Sequence, residues 1–108
     1  MAQQQLHSTE ELDQFVAESG KRLLFKHSTT CPISATAYSE FQAFLLGESV
    51  PSAVIHVIED RPVSNAVAER FEIKHESPQL FLLVDGQVKW HTSHWKITKD
   101  AIAQALKA

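Results

Sequence analysis

The sequence predicts an α/β fold in which a central mixed sheet carries helices on both faces. Short apolar, β-branched runs alternate with stretches whose apolar residues recur at helical spacing. Asp85-Gly86, the strongest short hairpin signal, stands between two further strand-like runs, and an amphipathic stretch follows them. Parallel strands linked through helices therefore come first, and an antiparallel pair closes the sheet. The 108 residues fit one core and no more, so residues 1–108 read as a single domain.

Ser8 followed three residues later by Glu11 makes a capping box, and Leu12, Phe15 and Val16 continue at helical spacing up to Ser19-Gly20. This predicts a helix over residues 9–18, with residues 1–5 as a frayed terminus. Residues 22–27 (RLLFKH) are long enough for a buried strand and too short for a helix. After the polar turn Ser28-Thr29-Thr30, Pro32 suits a first helical turn, where its missing N–H costs nothing. Ile33, Ala37, Tyr38, Phe41, Phe44 and Leu45 then share one face as far as Gly47. Residues 53–58 (AVIHVI) read as a central strand covered on both sides. Pro62 opens a helix carrying Val63, Ala66, Val67 and Phe71. Strands over 79–84 (QLFLLV) and 87–91 flank the hairpin turn, and Thr98 caps a last helix with Ile97, Ala101, Ile102, Ala105 and Leu106 on its apolar face.

Composition narrows the function. Hydrophobic residues at 44% and charged residues at 21% describe an ordinary globular chain. Ten basic and thirteen acidic residues, interspersed to a net charge of -3, leave no basic stripe for a phosphate backbone, so nucleic acid is not an expected partner. The N-terminus lacks a basic segment followed by an apolar one, and no stretch approaches the roughly 18 apolar residues a membrane helix needs. A cytoplasmic monomer with no membrane partner is expected.

One cysteine means no internal disulfide and no multi-cysteine metal cage built by a single chain. A lone cysteine is ordinarily a small buried hydrophobe, but Cys31 stands in the polar turn TTCPIS where a helix begins. Unpaired backbone N–H groups and the helix dipole favour a thiolate there, which makes Cys31 the expected nucleophile. Cys-x-x-Ser places the Ser34 hydroxyl where a dithiol enzyme keeps its resolving cysteine; it can donate a hydrogen bond but cannot form a disulfide. Thr30, Pro32 and Ser34 are the expected supports of the thiolate, and Lys26 and His27 are expected to add positive charge nearby. His91 and His94, two imidazoles without a third ligand, make no expected metal site.

The strand-TTCPIS-helix unit, Ser77-Pro78 before an apolar strand and the Asp85-Gly86 hairpin together resemble the thioredoxin-like superfamily over nearly the whole chain. That resemblance implies a three-layer α/β/α fold around a central mixed sheet. The segment Thr30-Cys31-Pro32-Ile33-Ser34 resembles the monothiol bacilliredoxins, which act on mixed disulfides between proteins and bacillithiol. The resemblance implies Cys31 as nucleophile, Pro78 as a cis-proline facing it, and a Ser77 backbone free to pair with a bound peptide or thiol. It also brings the loop over residues 90–95 (WHTSHW), with His94, close enough to contact the sugar and malate parts of bacillithiol.

The implied activity is removal of bacillithiol from protein mixed disulfides through a Cys31 mixed disulfide. Bacillithiol is the co-substrate and no metal or organic cofactor is needed. Bacillithiolated proteins are the implied partners, and free bacillithiol or another redoxin or reductase would return Cys31 to the thiol. Two departures bear on the alternatives. Phe25 stands where thioredoxins carry a buried aspartate, six positions before the nucleophile, which speaks against dithiol reductase chemistry. Pro32-Ile33 stand where cluster-carrying monothiol glutaredoxins have Gly-Phe, which weakens the alternative of a [2Fe–2S] carrier. A redox-inert binding module on the same fold is the remaining alternative.

Overall fold

The computed structural model describes residues 3–107, in which the apolar runs assemble into one five-stranded sheet. Its strands are β1 (Gln4–Gln5), β2 (Lys21–His27), β3 (Ser52–His56), β4 (Gln79–Val84) and β5 (Gln87–Ser93), in spatial order β1-β3-β2-β4-β5. β1 and β2 lie parallel to β3, whereas β4 runs antiparallel to both β2 and β5. The helices are α1 (Thr9–Ala17), α2 (Pro32–Gly47), α3 (Arg61–Phe71) and α4 (Lys99–Lys107), with a short 3-10 turn over His94–Lys96.

Alternation along β2 and β4 divides the interior into two layers. Leu24, Phe81 and Leu83 join α1 and α3 residues such as Leu12, Phe15, Val63 and Val67 on one face. Leu23, Phe25, Leu80 and Leu82 join Phe41 and Phe44 of α2 and Ile102 of α4 on the other. Both faces of the middle strands are thus covered, which is why their sequences are almost continuously apolar.

Local signals account for the element ends. Ser8 Oγ accepts from Glu11 N–H at 3.1 Å, and Glu11 reaches back to the backbone N–H of His7 at 2.6 Å. Asp85 and Gly86 both have positive φ, +53° and +85°, as a tight hairpin turn of right-handed strands requires. Thr98 Oγ1 accepts from Ala101 N–H at the start of α4.

Two expectations are corrected. Gln4 and Gln5 pair with Ala53 and Val54 as an edge strand rather than fraying; Met1 and Ala2 lie outside the described residues. β5 continues to Ser93, so residues 90–93 of WHTSHW belong to a strand, and only His94, Trp95 and Lys96 form the turn after it. No helix among the described residues is long and apolar enough to cross a membrane.

The strand directions bring four segments to one end of the sheet. These are the turn between β2 and α2, the turn after β3, the entry of β4 at Ser77-Pro78, and the turn after β5.

Candidate active site

Cys31 is the N-cap of α2 and is half-buried; Pro32 holds the first helical position. Its backbone N–H donates to Ser28 C=O at 3.2 Å, closing the turn, and its C=O accepts from Ala35 N–H at 3.0 Å, starting the helix. The thiol therefore sits where the first N–H groups of a sixteen-residue helix are unpaired. Thr30 is exposed at the tip of the turn, and the neighbouring Thr29 is the residue that bonds across, to Glu59 at 3.4 Å.

Ser34 is fully buried. Its hydroxyl accepts from Ser28 N–H at 2.9 Å and meets His27 Nδ1 at 2.7 Å, so its bonds brace the turn and the end of β2 rather than reaching the Cys31 sulfur. This corrects the expectation that the hydroxyl serves Cys31 directly. The His27 ring lies flat against Tyr38, with centroids 4.5 Å apart and planes 14° apart, and continues a stack through Phe25 to Phe41. Burial is the main reason its pKa falls below the ordinary histidine value, with His56 adding to the fall and Glu59 opposing it.

Lys26 is corrected in the same way. Strand alternation turns it to the opposite face, where it is completely buried, with Nζ 3.1 Å from His75 Nδ1 and 5.8 Å from the centre of the Phe81 ring. Desolvation lowers its pKa from 10.5 to about 8, so it is a costly charge under the sheet and not an exposed cation beside the thiol. The unfolded chain holds this proton more tightly than the folded one. The gap between 10.5 and about 8 corresponds to about 3 kcal/mol, a contribution absent below pH 8 and regained as pH rises to 10.5. Lys26→Met is expected to raise stability at pH 7 by up to about 3 kcal/mol and to flatten that alkaline rise, read by urea unfolding of both proteins from pH 7 to 10.5. Equal slopes for the two proteins would contradict it.

The Ser77–Pro78 peptide bond is cis. Pro78 is buried, and its C=O accepts from His94 N–H at 3.1 Å, tying the entry of β4 to the turn after β5. The Gln79 side chain accepts from Glu76 N–H and donates to Lys74 C=O, which shapes the preceding loop. Ser77 Oγ is buried without a hydrogen-bond partner, and among the described residues the Ser77 backbone makes no backbone hydrogen bond. A polar residue left open at the active end is what a bound chain or thiol could satisfy.

His94 has a positive φ of +54°, and its Nδ1 lies 3.5 Å from the Glu76 carboxylate, which also accepts from the Ser93 hydroxyl. That hydroxyl is the main reason the Glu76 pKa falls, with His94 adding to it. Trp90 packs against the α2–α4 layer, whereas Trp95 is 68% exposed on the turn. Among the described residues no three of His, Cys, Asp and Glu converge as a metal-ligand set.

With the fold and the turn established, comparison with known proteins places them. A candidate oxidoreductase with a thioredoxin fold is 36% identical, covers 96% of this chain and 93% of its own, and superposes with a TM-score of 0.92. Thioredoxins from Trypanosoma brucei brucei and Halobacterium salinarum superpose with TM-scores of 0.79 and 0.77 at 11% and 17% identity. They cover 98% and 97% of this chain and 88% of each of theirs, and they attest the fold alone. Residues 4–102 match the profile of the monothiol bacilliredoxin BrxC, so the chain belongs to the monothiol bacilliredoxin family and has a thioredoxin fold.

Proposed function

We propose that the chain is a monothiol thiol–disulfide oxidoreductase that removes bacillithiol from protein mixed disulfides. The observation that carries this reading is the place of its one cysteine: half-buried, at the N-cap of α2, in a chain of the monothiol bacilliredoxin family. The Cys31 thiolate attacks the bacillithiol sulfur of the mixed disulfide. A new Cys31–bacillithiol disulfide forms, the old sulfur–sulfur bond breaks, and the substrate leaves as a thiolate that takes a proton from water. Free bacillithiol or a partner redoxin or reductase then attacks the adduct and restores the thiol.

Pro32 and Ser34 support this step by starting and bracing the helix that carries Cys31, with Thr30 at the turn's exposed tip. Ser77 and Pro78 offer backbone groups and an open hydroxyl to the incoming disulfide, and His94 flanks them from the turn after β5. The reading requires no metal or organic cofactor and takes bacillithiolated proteins in the cytoplasm as partners of a monomer.

The test is intact mass spectrometry of the protein mixed with a reporter protein bacillithiolated on its single cysteine. One bacillithiol on this chain, with equimolar reporter thiol released, is the expected result. Transfer no faster from the bacillithiol adduct than from glutathione or coenzyme A adducts of the same reporter would overturn the assignment to bacillithiol.

A further inference from the structure

The hydrogen on the Ser34 hydroxyl has one place to go. A hydroxyl carries a single hydrogen and two lone pairs, and one lone pair already receives Ser28 N–H at 2.9 Å. Ser34 is fully buried, and among the described residues its other hydrogen-bond contact is His27 Nδ1 at 2.7 Å. The hydrogen therefore points at Nδ1, and the ring that accepts it carries its own hydrogen on Nε2.

We propose that His27 is a positioning residue for the exchange reaction: by accepting the Ser34 hydrogen it fixes the turn that bears Cys31 and keeps that donor off the Cys31 sulfur. The inference goes beyond the choice of bacillithiol and rests only on Cys31 being the reacting thiol. Ser34 lies one helical turn after Cys31, so a released hydrogen on its hydroxyl could turn toward the thiolate. A hydrogen-bonded thiolate is more abundant but less nucleophilic. With a Brønsted coefficient of about 0.4–0.5, a tenfold gain in thiolate stability costs about threefold in attack rate.

The surroundings keep His27 in the accepting form. Phe25 from β2 and Tyr38 from α2 cover the ring, His56 of β3 approaches edge-on at 5.8 Å, and Glu59 in the turn after β3 is the one opposing charge. Desolvation and the neighbouring imidazole both favour a neutral ring at pH 7. Below the histidine range the ring takes a proton on Nδ1, the bond to Ser34 reverses, and the Ser34 hydrogen is freed.

Nitrogen-15 NMR of the wild-type protein at pH 7 reads the arrangement directly: the expected signal is a neutral His27 with bare Nδ1 and protonated Nε2. A ring protonated at Nδ1 would overturn the proposal. Alkylation of Cys31 by iodoacetamide, followed by intact mass from pH 5 to 10, reads the consequence. His27→Phe keeps the stack but loses the acceptor, and its limiting alkaline rate is expected to fall about threefold. His27→Asn, whose amide oxygen can accept the hydrogen, is expected to regain the lost rate. A lost rate that His27→Asn does not recover would assign His27 a packing role only. Failure of wild-type Cys31 to alkylate faster than free cysteine at pH 6 would instead strike at the nucleophile assignment itself.

Discussion

Cys31→Ser is expected to abolish transfer of bacillithiol from a mixed disulfide, by on the order of a thousandfold or more, because the hydroxyl cannot replace the only sulfur nucleophile in the chain. The fold should survive, since Cys31 is half-buried and its two hydrogen bonds, from N–H to Ser28 and from Ala35 to C=O, are made by the backbone. Unfolding in urea within about 1 kcal/mol of wild type is therefore the accompanying expectation. Mass spectrometry of the variant after exposure to bacillithiol disulfide checks the chemistry: an unmodified mass is expected, and a surviving adduct or undiminished reporter release would place the reaction elsewhere.

Much of the fold was legible because local chemistry and tertiary context agree in it. Capping at Ser8 and Thr98, the proline-started helices and the Asp85-Gly86 turn each depend on a few neighbouring residues. The misses share a different cause. Gln4–Gln5 is an exposed two-residue edge with no periodicity to read, held by pairing with Ala53 and Val54 nearly fifty positions away. Lys26 has the look of a solvated strand end, yet period-two alternation places it on the α1–α3 face, where the register of β2 with β4 seals it beside Phe81. An alternation count started at Leu23 puts Lys26 on the same face as Leu24 and would have found this.

At the candidate site, the sequence picks out residues by motif but not the directions of their side chains. Cys31, Ser34, Ser77 and Pro78 stand out by motif, whereas the part played by His27 depends on three elements meeting. β2 supplies the ring, α2 supplies Ser34 and Tyr38, and β3 supplies His56. The Glu76–His94 contact likewise joins residues eighteen apart through the pairing of β4 with β5, so the sequence marked His94 but not its partner.

Ser34→Cys is the second large effect expected. The substituted thiol lies one turn into the helix that Cys31 caps, at a position that is fully buried. An adduct on Cys31 then has an internal competitor for every external thiol. Well-placed intramolecular groups act at effective concentrations of about 10⁵ M or more, and even a site several orders of magnitude short of that outruns an external thiol at about millimolar concentration. The bacillithiol adduct of the variant is therefore expected to collapse to an internal disulfide between Cys31 and the substituted thiol, at least about a thousandfold faster than wild-type adduct decays without added thiol. Bacillithiol is released and the chain is left two hydrogens lighter. The substitution also removes the hydroxyl that binds Ser28 and His27, so a cost of about 1–3 kcal/mol in unfolding free energy should accompany the gain. Stopped-flow quenching with mass analysis follows both species in time. An adduct as long-lived as that of wild type, in a variant whose circular dichroism and unfolding show it folded, would mean that position 34 cannot reach the Cys31 sulfur and that the helix turn holds the two apart.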